Sequence, residues 1–156
     1  MRPPFRVSVI GGSREEEPFL AEVRELGSLM AREGWTVVCG GLGGVMEAIA
    51  RGVRESGGEV IGILPGPDPR EGNPWLSTVV ATGLGQGRNL LVVMNGDAVV
   101  ALGGKNGTLS EIGHALALGR RVFGWRTWEL PGVERVEEPR ILIERLKELF
   151  ASDAEL

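Results

Sequence analysis

The sequence has little of what most metal and redox chemistry draws on. It carries one cysteine, Cys39, which excludes an intramolecular disulfide and a cysteine-based zinc site. A reducing, cytoplasmic setting is the expectation. The single histidine, His114, follows Glu111 by three residues. No second Glu-x-x-His pair completes a di-metal motif, so a structural role is expected for His114 and no metal site is expected. No run approaches the ~18 apolar residues of a transmembrane helix. The start, MRPPFRVSVIGG, leads straight into a glycine turn rather than following a signal-peptide plan. There is no basic excess either: 17 Lys+Arg stand against 21 Asp+Glu, a net charge of −4. Neither a nucleic-acid nor a membrane partner is expected.

Glycine is what the sequence has in excess, 25 residues of 156, against a usual share of roughly 7%. There is no G-X-Y period, which excludes collagen. A hydrophobic fraction of 42% argues against a disordered chain. The length fits one domain spanning residues 1–156. The question is what the glycines do inside it.

Periodicity gives alternating strands and helices. Strands are expected at Arg6–Ile10, Thr36–Cys39, Glu59–Leu64, Ala98–Leu102 and Arg121–Trp125, with a short one at Thr78–Ala81. Helices are expected from Pro18 to Glu33, Val45 to Ser56, Gly87 to Met94, Thr108 to Leu118 and Pro139 to Phe150. Pro65–Pro74, with four prolines in ten residues, reads as a surface loop. Residues 126–138 read as a poorly patterned connection. Apolar strands that alternate with helices imply a mostly parallel, doubly wound α/β sheet covered on both faces. This is a three-layer, Rossmann-like domain that binds ligands at the carboxyl ends of its strands.

Three glycine clusters fall at such ends. After the apolar run Ala98–Leu102, Gly103, Gly104, Lys105, Asn106 and Gly107 lead into a helix beginning near Thr108. Converging backbone N–H groups and a helix dipole there suit a phosphate or other anion. The spacing matches neither a Walker A loop nor GxGxxG. Glu111 has two readings: a capping-box residue paired with Thr108 as N-cap, or a carboxylate with chemistry to do. The cluster at Gly40, Gly41, Gly43 and Gly44 has two readings as well, a nucleotide cradle or a close crossing of helix over strand. Gly12 and Ser13 add donors at the end of the first strand. Arg88 opens a helix and offers a fork suited to phosphate. Cys39 and Met46 read as core residues. Trp75, Trp125 and Trp128 read as core or interface packing.

Taken together, the runs from Gly40 to Ala48, Arg88-Asn89, Asp97-Ala98 and Gly103 to Glu111 occur in the order seen in the LOG-like family, long labelled lysine decarboxylases. The chain resembles that family over roughly residues 6–125. The family motif P-G-G-x-G-T-x-x-E is met with Gly103 at the proline, Gly104 and Lys105 at the first two glycines, Gly107 at the third, then Thr108 and Glu111. The earlier motif G-G-G-x-x-G-L-M-G is met from Cys39 to Glu47. Three departures, Gly103, Asn89 in place of lysine and the G-V-M-E run, resemble the molybdenum-cofactor carrier branch. Lys105 departs from both patterns.

The resemblance implies a Rossmann-like fold and a small, nucleotide-like ligand, either a bound nucleotide or a phosphorylated pterin, with no further cofactor required. It implies a homodimer or higher homo-oligomer. It makes Arg88 and Glu111 the catalytic pair of a nucleoside 5′-monophosphate phosphoribohydrolase, a hydrolase of N-glycosyl bonds. The alternative it implies is a carrier that holds a phosphorylated cofactor without chemistry. On either account the ligand-binding residues are Gly12, Ser13, Gly41, Gly43, Gly44, Gly103, Gly104, Lys105, Asn106, Gly107 and Thr108. A pyridoxal-phosphate decarboxylase is rejected, because it needs a Schiff-base lysine. Only Lys105 and Lys147 exist, and Lys147 lies on the polar face of the closing helix.

Overall fold

The computed structural model describes residues 4–154. Strands and helices alternate along it: β1 (Arg6–Gly11), α1 (Phe19–Arg32), β2 (Thr36–Cys39), α2 (Val45–Glu55), β3 (Val60–Leu64), β4 (Thr78–Ala81), α3 (Arg88–Met94), β5 (Ala98–Leu102), α4 (Asn106–Ala117), β6 (Val122–Trp125), β7 (Val133–Arg135) and α5 (Pro139–Ala154). The strands form a seven-stranded sheet in the order β4-β3-β2-β1-β5-β6-β7. Every pairing is parallel, so the sheet is wholly rather than mostly parallel. The chain winds outward from β1 to β4 and returns to β5 beside β1. The β1/β5 boundary is therefore the topological switch point, where adjacent loops diverge and leave a crevice.

Alternation along the strands builds two cores. Val7, Val9, Ala98, Val100 and Leu102 face one side, where α1, α2 and α5 supply Val23, Leu26, Ile49, Val53, Leu142 and Leu146. Ile10, Val38, Val99 and Ala101 face the other, where α3 and α4 supply Val92, Val93, Ile112 and Ala115. All of these are buried. Strands apolar on both faces are what a helix-sheet-helix sandwich requires. No helix among the described residues is long and apolar enough to cross a membrane.

Three local features depart from the sequence reading. First, β7 forms within residues 126–138. It is a three-residue polar edge strand, too short to show a period, and Val136 N–H donates to the Gly124 carbonyl at 2.9 Å, carrying the pairing with β6 one residue further. The Arg145 fork from α5 meets Glu134 of β7 at 2.7 and 2.8 Å. Second, α5 runs on to Ala154. Third, α4 begins at Asn106, two residues before Thr108, and its N-cap residue is Lys105 with no side-chain cap bond. The capping-box reading of Thr108 and Glu111 is therefore replaced. The Pro65–Pro74 loop contains a 3-10 turn at Pro69–Glu71, started by Asp68, whose carboxylate accepts the Arg70 N–H at 2.9 Å.

α1 and α2 cross in close contact at Gly27 and Gly52, and a Cβ at Gly52 would overlap the Arg24 carbonyl. Alanine at position 52 would gain up to about 1 kcal/mol of helix propensity, yet overpacking against rigid backbone costs about 1–3 kcal/mol. We expect the clash to win. Gly52→Ala should unfold at lower urea than the parent with an unchanged m-value; an equal or higher midpoint would show that the helices separate freely.

Candidate functional site

The crevice at the switch point is a cleft of about 470 Å³, within the range of small-molecule sites. Its lining comes from four segments. The β1 end supplies Gly12, Ser13, Arg14 and Glu15; the β2–α2 loop supplies Leu42 and α2 supplies Met46. The start of α3 supplies Arg88 and Asn89, and Lys105, Gly107, Thr108 and Glu111 come from α4 and its N-cap. Residues far apart in sequence meet here because β1 and β5 are neighbours in the sheet.

Arg88 is only 8% exposed. One guanidinium nitrogen donates to Asn89 Oδ1, and Asn89 Nδ2 donates in turn to Gln86 Oε1 at 3.0 Å. Arg88 Nε is buried without a partner. The guanidinium lies against Gly40, where a Cβ would stand 2.9 Å from Nη2 and 3.0 Å from Cζ. Any larger residue at position 40 would displace it. Gly40 thus has a role in the site through space rather than through its own donors. Burial lowers the Arg88 pKa, and the Glu111 charge partly opposes that. The group stays charged all the same. A buried, incompletely matched cation calls for an anion.

Glu111 is also 8% exposed. Burial pushes its carboxyl up to about 7, against a smaller lowering by Arg88. It therefore titrates at neutral pH, which suits either acid or base work. Cys39 beneath the cleft is buried and its thiol is pushed up to about 11, mainly by desolvation, as befits an inert core residue.

The helix start supplies the remaining donors. The N–H groups of Asn106, Gly107 and Thr108 find no carbonyl partner, whereas Leu109 N–H already bonds the Lys105 carbonyl at 3.0 Å. Such orphan N–H groups and the helix dipole favour an anion. The two preceding glycines are differently used. Gly103 N–H donates to the Trp125 carbonyl at 3.2 Å, and Gly104 N–H donates to Glu15 Oε1 at 2.8 Å. At Gly104, φ is +92° and a Cβ would overlap the Thr108 hydroxyl, so glycine is required there.

Of the residues expected to bind ligand, Gly12, Ser13, Lys105, Gly107 and Thr108 line the cleft beside Arg88 and Glu111. Gly103 and Gly104 form the adjoining loop, and Asn106 opens α4. Gly41, Gly43 and Gly44 do not line it. Gly41 packs on Leu64, and Gly44, at φ +64°, lets the loop close on Gly12 and Ser13. Val45 N–H then bonds the Gly12 carbonyl at 2.9 Å. At Gly41 and Gly44 the missing side chains serve close packing of the β2–α2 loop. The Pro65–Pro74 loop touches the same cluster, with Asn73 donating to the Gly41 and Leu42 carbonyls at 2.9 and 3.0 Å. His114 is exposed on α4.

Sequence reasoning missed Glu15 and the segment after β6. Thr127 Oγ1 donates to the Gly103 carbonyl at 2.7 Å and Trp128 Nε1 to the Lys105 carbonyl at 3.0 Å. These two side chains brace the anion loop from behind. Neither lies in a recognisable motif, so only the β5–β6 adjacency could have pointed to them.

Comparison with known proteins agrees with this architecture. The chain belongs to the SLOG cluster4 family, whose model matches residues 4–148. It is 42% identical over 137 residues to an uncharacterized protein of Archaeoglobus fulgidus, covering 81% of this chain and 89% of the relative. It superimposes on the molybdenum cofactor binding protein of Rippkaea orientalis with a TM-score of 0.88 at 32% identity, covering 96% and 99% of the two chains. The molybdenum cofactor carrier protein of Chlamydomonas reinhardtii gives a TM-score of 0.86 at 27% identity, with the same coverage. The chain is thus LOG-like and stands near the carrier branch, as the departures at Gly103, Asn89 and the G-V-M-E run suggested.

The raised Glu111 pKa fixes a stability prediction. Between an unfolded value of 4.5 and a folded value of about 7, the folded state binds more protons, so stability falls as pH rises through that window. Above it, ionised Glu111 costs about 3 kcal/mol. Glu111→Gln should match the parent at pH 4.5 and exceed it by up to about 3 kcal/mol at pH 8 in urea titrations. A difference that does not change with pH would contradict a buried, raised carboxyl.

Proposed function

We propose that the cleft binds the phosphomonoester end of a heterocyclic ligand, and that the chain acts as a binding or carrier protein for a phosphorylated pterin such as molybdenum cofactor. The observation that carries this reading is Arg88, buried and only partly hydrogen-bonded, lining the same cleft as the free N–H groups of α4. Support comes from full-length structural likeness to proteins described as molybdenum cofactor binding and carrier proteins. The phosphate sits on the N–H groups of Asn106, Gly107 and Thr108, with Arg88 and Lys105 matching its charge. Gly12, Ser13, Leu42 and Met46 leave the rest of the cleft for the ring system. A net charge of −4 fits a small anionic ligand held locally better than a nucleic acid backbone.

A second reading rests on Glu111. In a nucleoside 5′-monophosphate bound the same way, the carboxyl would lie near the sugar. A carboxyl that titrates near neutrality can take a proton from water adding at C1′ as the C1′–N bond breaks, the base leaving with one proton. This is the phosphoribohydrolase reaction, which needs no cofactor. Assembly into a homodimer or larger homo-oligomer accompanies either reading.

Native mass spectrometry of gently purified protein should show a phosphorylated pterin, and 5′-AMP should bind as a surrogate. Arg88→Ala should weaken 5′-AMP binding by roughly 10- to 100-fold, the loss of a charged hydrogen bond. Binding that survives Arg88→Ala would remove the central observation. Release of adenine and ribose 5-phosphate, lost in Glu111→Gln, would establish the second reading over the first.

A further inference from the structure

Glu15 stands at the throat of the cleft with a carboxylate that the proposed ligand contacts do not use. It is half-buried, and its Oε1 accepts the Gly104 N–H at 2.8 Å. The same oxygen would lie 2.7 Å from a Cβ placed on either Gly12 or Gly103. The hollow it occupies exists only because both residues are glycine. Its other oxygen, Oε2, has no hydrogen-bond partner among the described residues, and no cation is ion-paired with it. The hollow beside the Gly104 N–H is therefore already filled, from within, by a carboxylate.

The free cradle begins two residues later, at Asn106, Gly107 and Thr108, beside the buried Arg88 with its unmatched Nε. The two cradles are consecutive along one loop. A ligand with a single phosphate fills the free one and meets Glu15 only with its neutral portion. A ligand with a second phosphate would bring another negative group against the carboxylate, at the N–H it already holds. The other charged groups facing this space are Arg14, Lys105, Arg88 and Glu111.

We infer that Glu15 is a specificity-determining residue: by occupying the Gly104 cradle it limits the cleft to ligands ending in one phosphate and rejects those with a diphosphate. This rests on the proposed seating of a phosphate at α4. The step is binding alone, with no bond made or broken.

Calorimetric titration with 5′-AMP and ADP, free of divalent cations, tests it on the parent, Glu15→Gln and Glu15→Ala, with circular dichroism to check folding. The parent should prefer 5′-AMP by at least about tenfold. Glu15→Ala, which removes the charge and opens the Gly104 N–H, should narrow that ratio by about tenfold or reverse it, and Glu15→Gln should fall between. A parent that binds ADP as tightly as 5′-AMP would overturn the inference even if neither variant folds. So would an unchanged ratio in folded variants. A parent that binds neither nucleotide nor inorganic phosphate would instead remove the phosphate reading of the cleft, and the inference with it.

Discussion

A guanidinium withdrawn from water without a fixed counter-anion is the constraint around which the rest of the site is arranged. Burying a charge is costly unless it is matched. Arg88 has only part of that match, from Asn89, and none on Nε. The fold places it there by starting α3 at the cleft and by keeping Gly40 free of a side chain, so that the guanidinium has room beside it. The same desolvation that leaves Arg88 wanting an anion keeps Glu111 from ionising at its ordinary pH. Two groups that might have neutralised each other therefore share the cleft without forming an ion pair. The unmatched charge is available to a ligand, and the helix start of α4 supplies the directed donors beside it.

The glycine excess divides between two uses. At the β1 and β5 ends the missing side chains of Gly12 and Gly103 leave room for the Glu15 carboxylate. At Gly44, and at Gly27 and Gly52 where α1 crosses α2, they let backbone meet backbone. The two uses are linked, because the close approach of the β2–α2 loop to Gly12 and Ser13 is what holds the β1 end in position over the cleft. Thr127 and Trp128 do the same for the β5 end from the opposite side.

Much of this was legible in the sequence, for identifiable reasons. Strands buried on both faces are continuous apolar runs, and helices between them carry strong periodicity, so β1, β2, α1 and α2 stand within a residue or two of their expected bounds. Arg88 and Glu111 carry motif context and do meet in one cleft. The start of α4 was obscured because Asn106 and Gly107 are poor helix formers, which made Thr108 look like the cap. β7 is too short and too polar to show a pattern. Glu15 lies in a run of three glutamates with no period, and its contact with Gly104 spans 89 residues. Only the sheet order, which sets β5 beside β1, brings them together.

On the proposed reading a phosphate completes the partial match of Arg88 at the start of α4. A crystal structure of the protein with 5′-AMP tests this most directly. Phosphate oxygens are expected within hydrogen-bond reach of the Gly107 and Thr108 N–H groups and of the Arg88 guanidinium, with Glu15 still on Gly104. A phosphate bound elsewhere, out of reach of the Arg88 guanidinium, would contradict this reading.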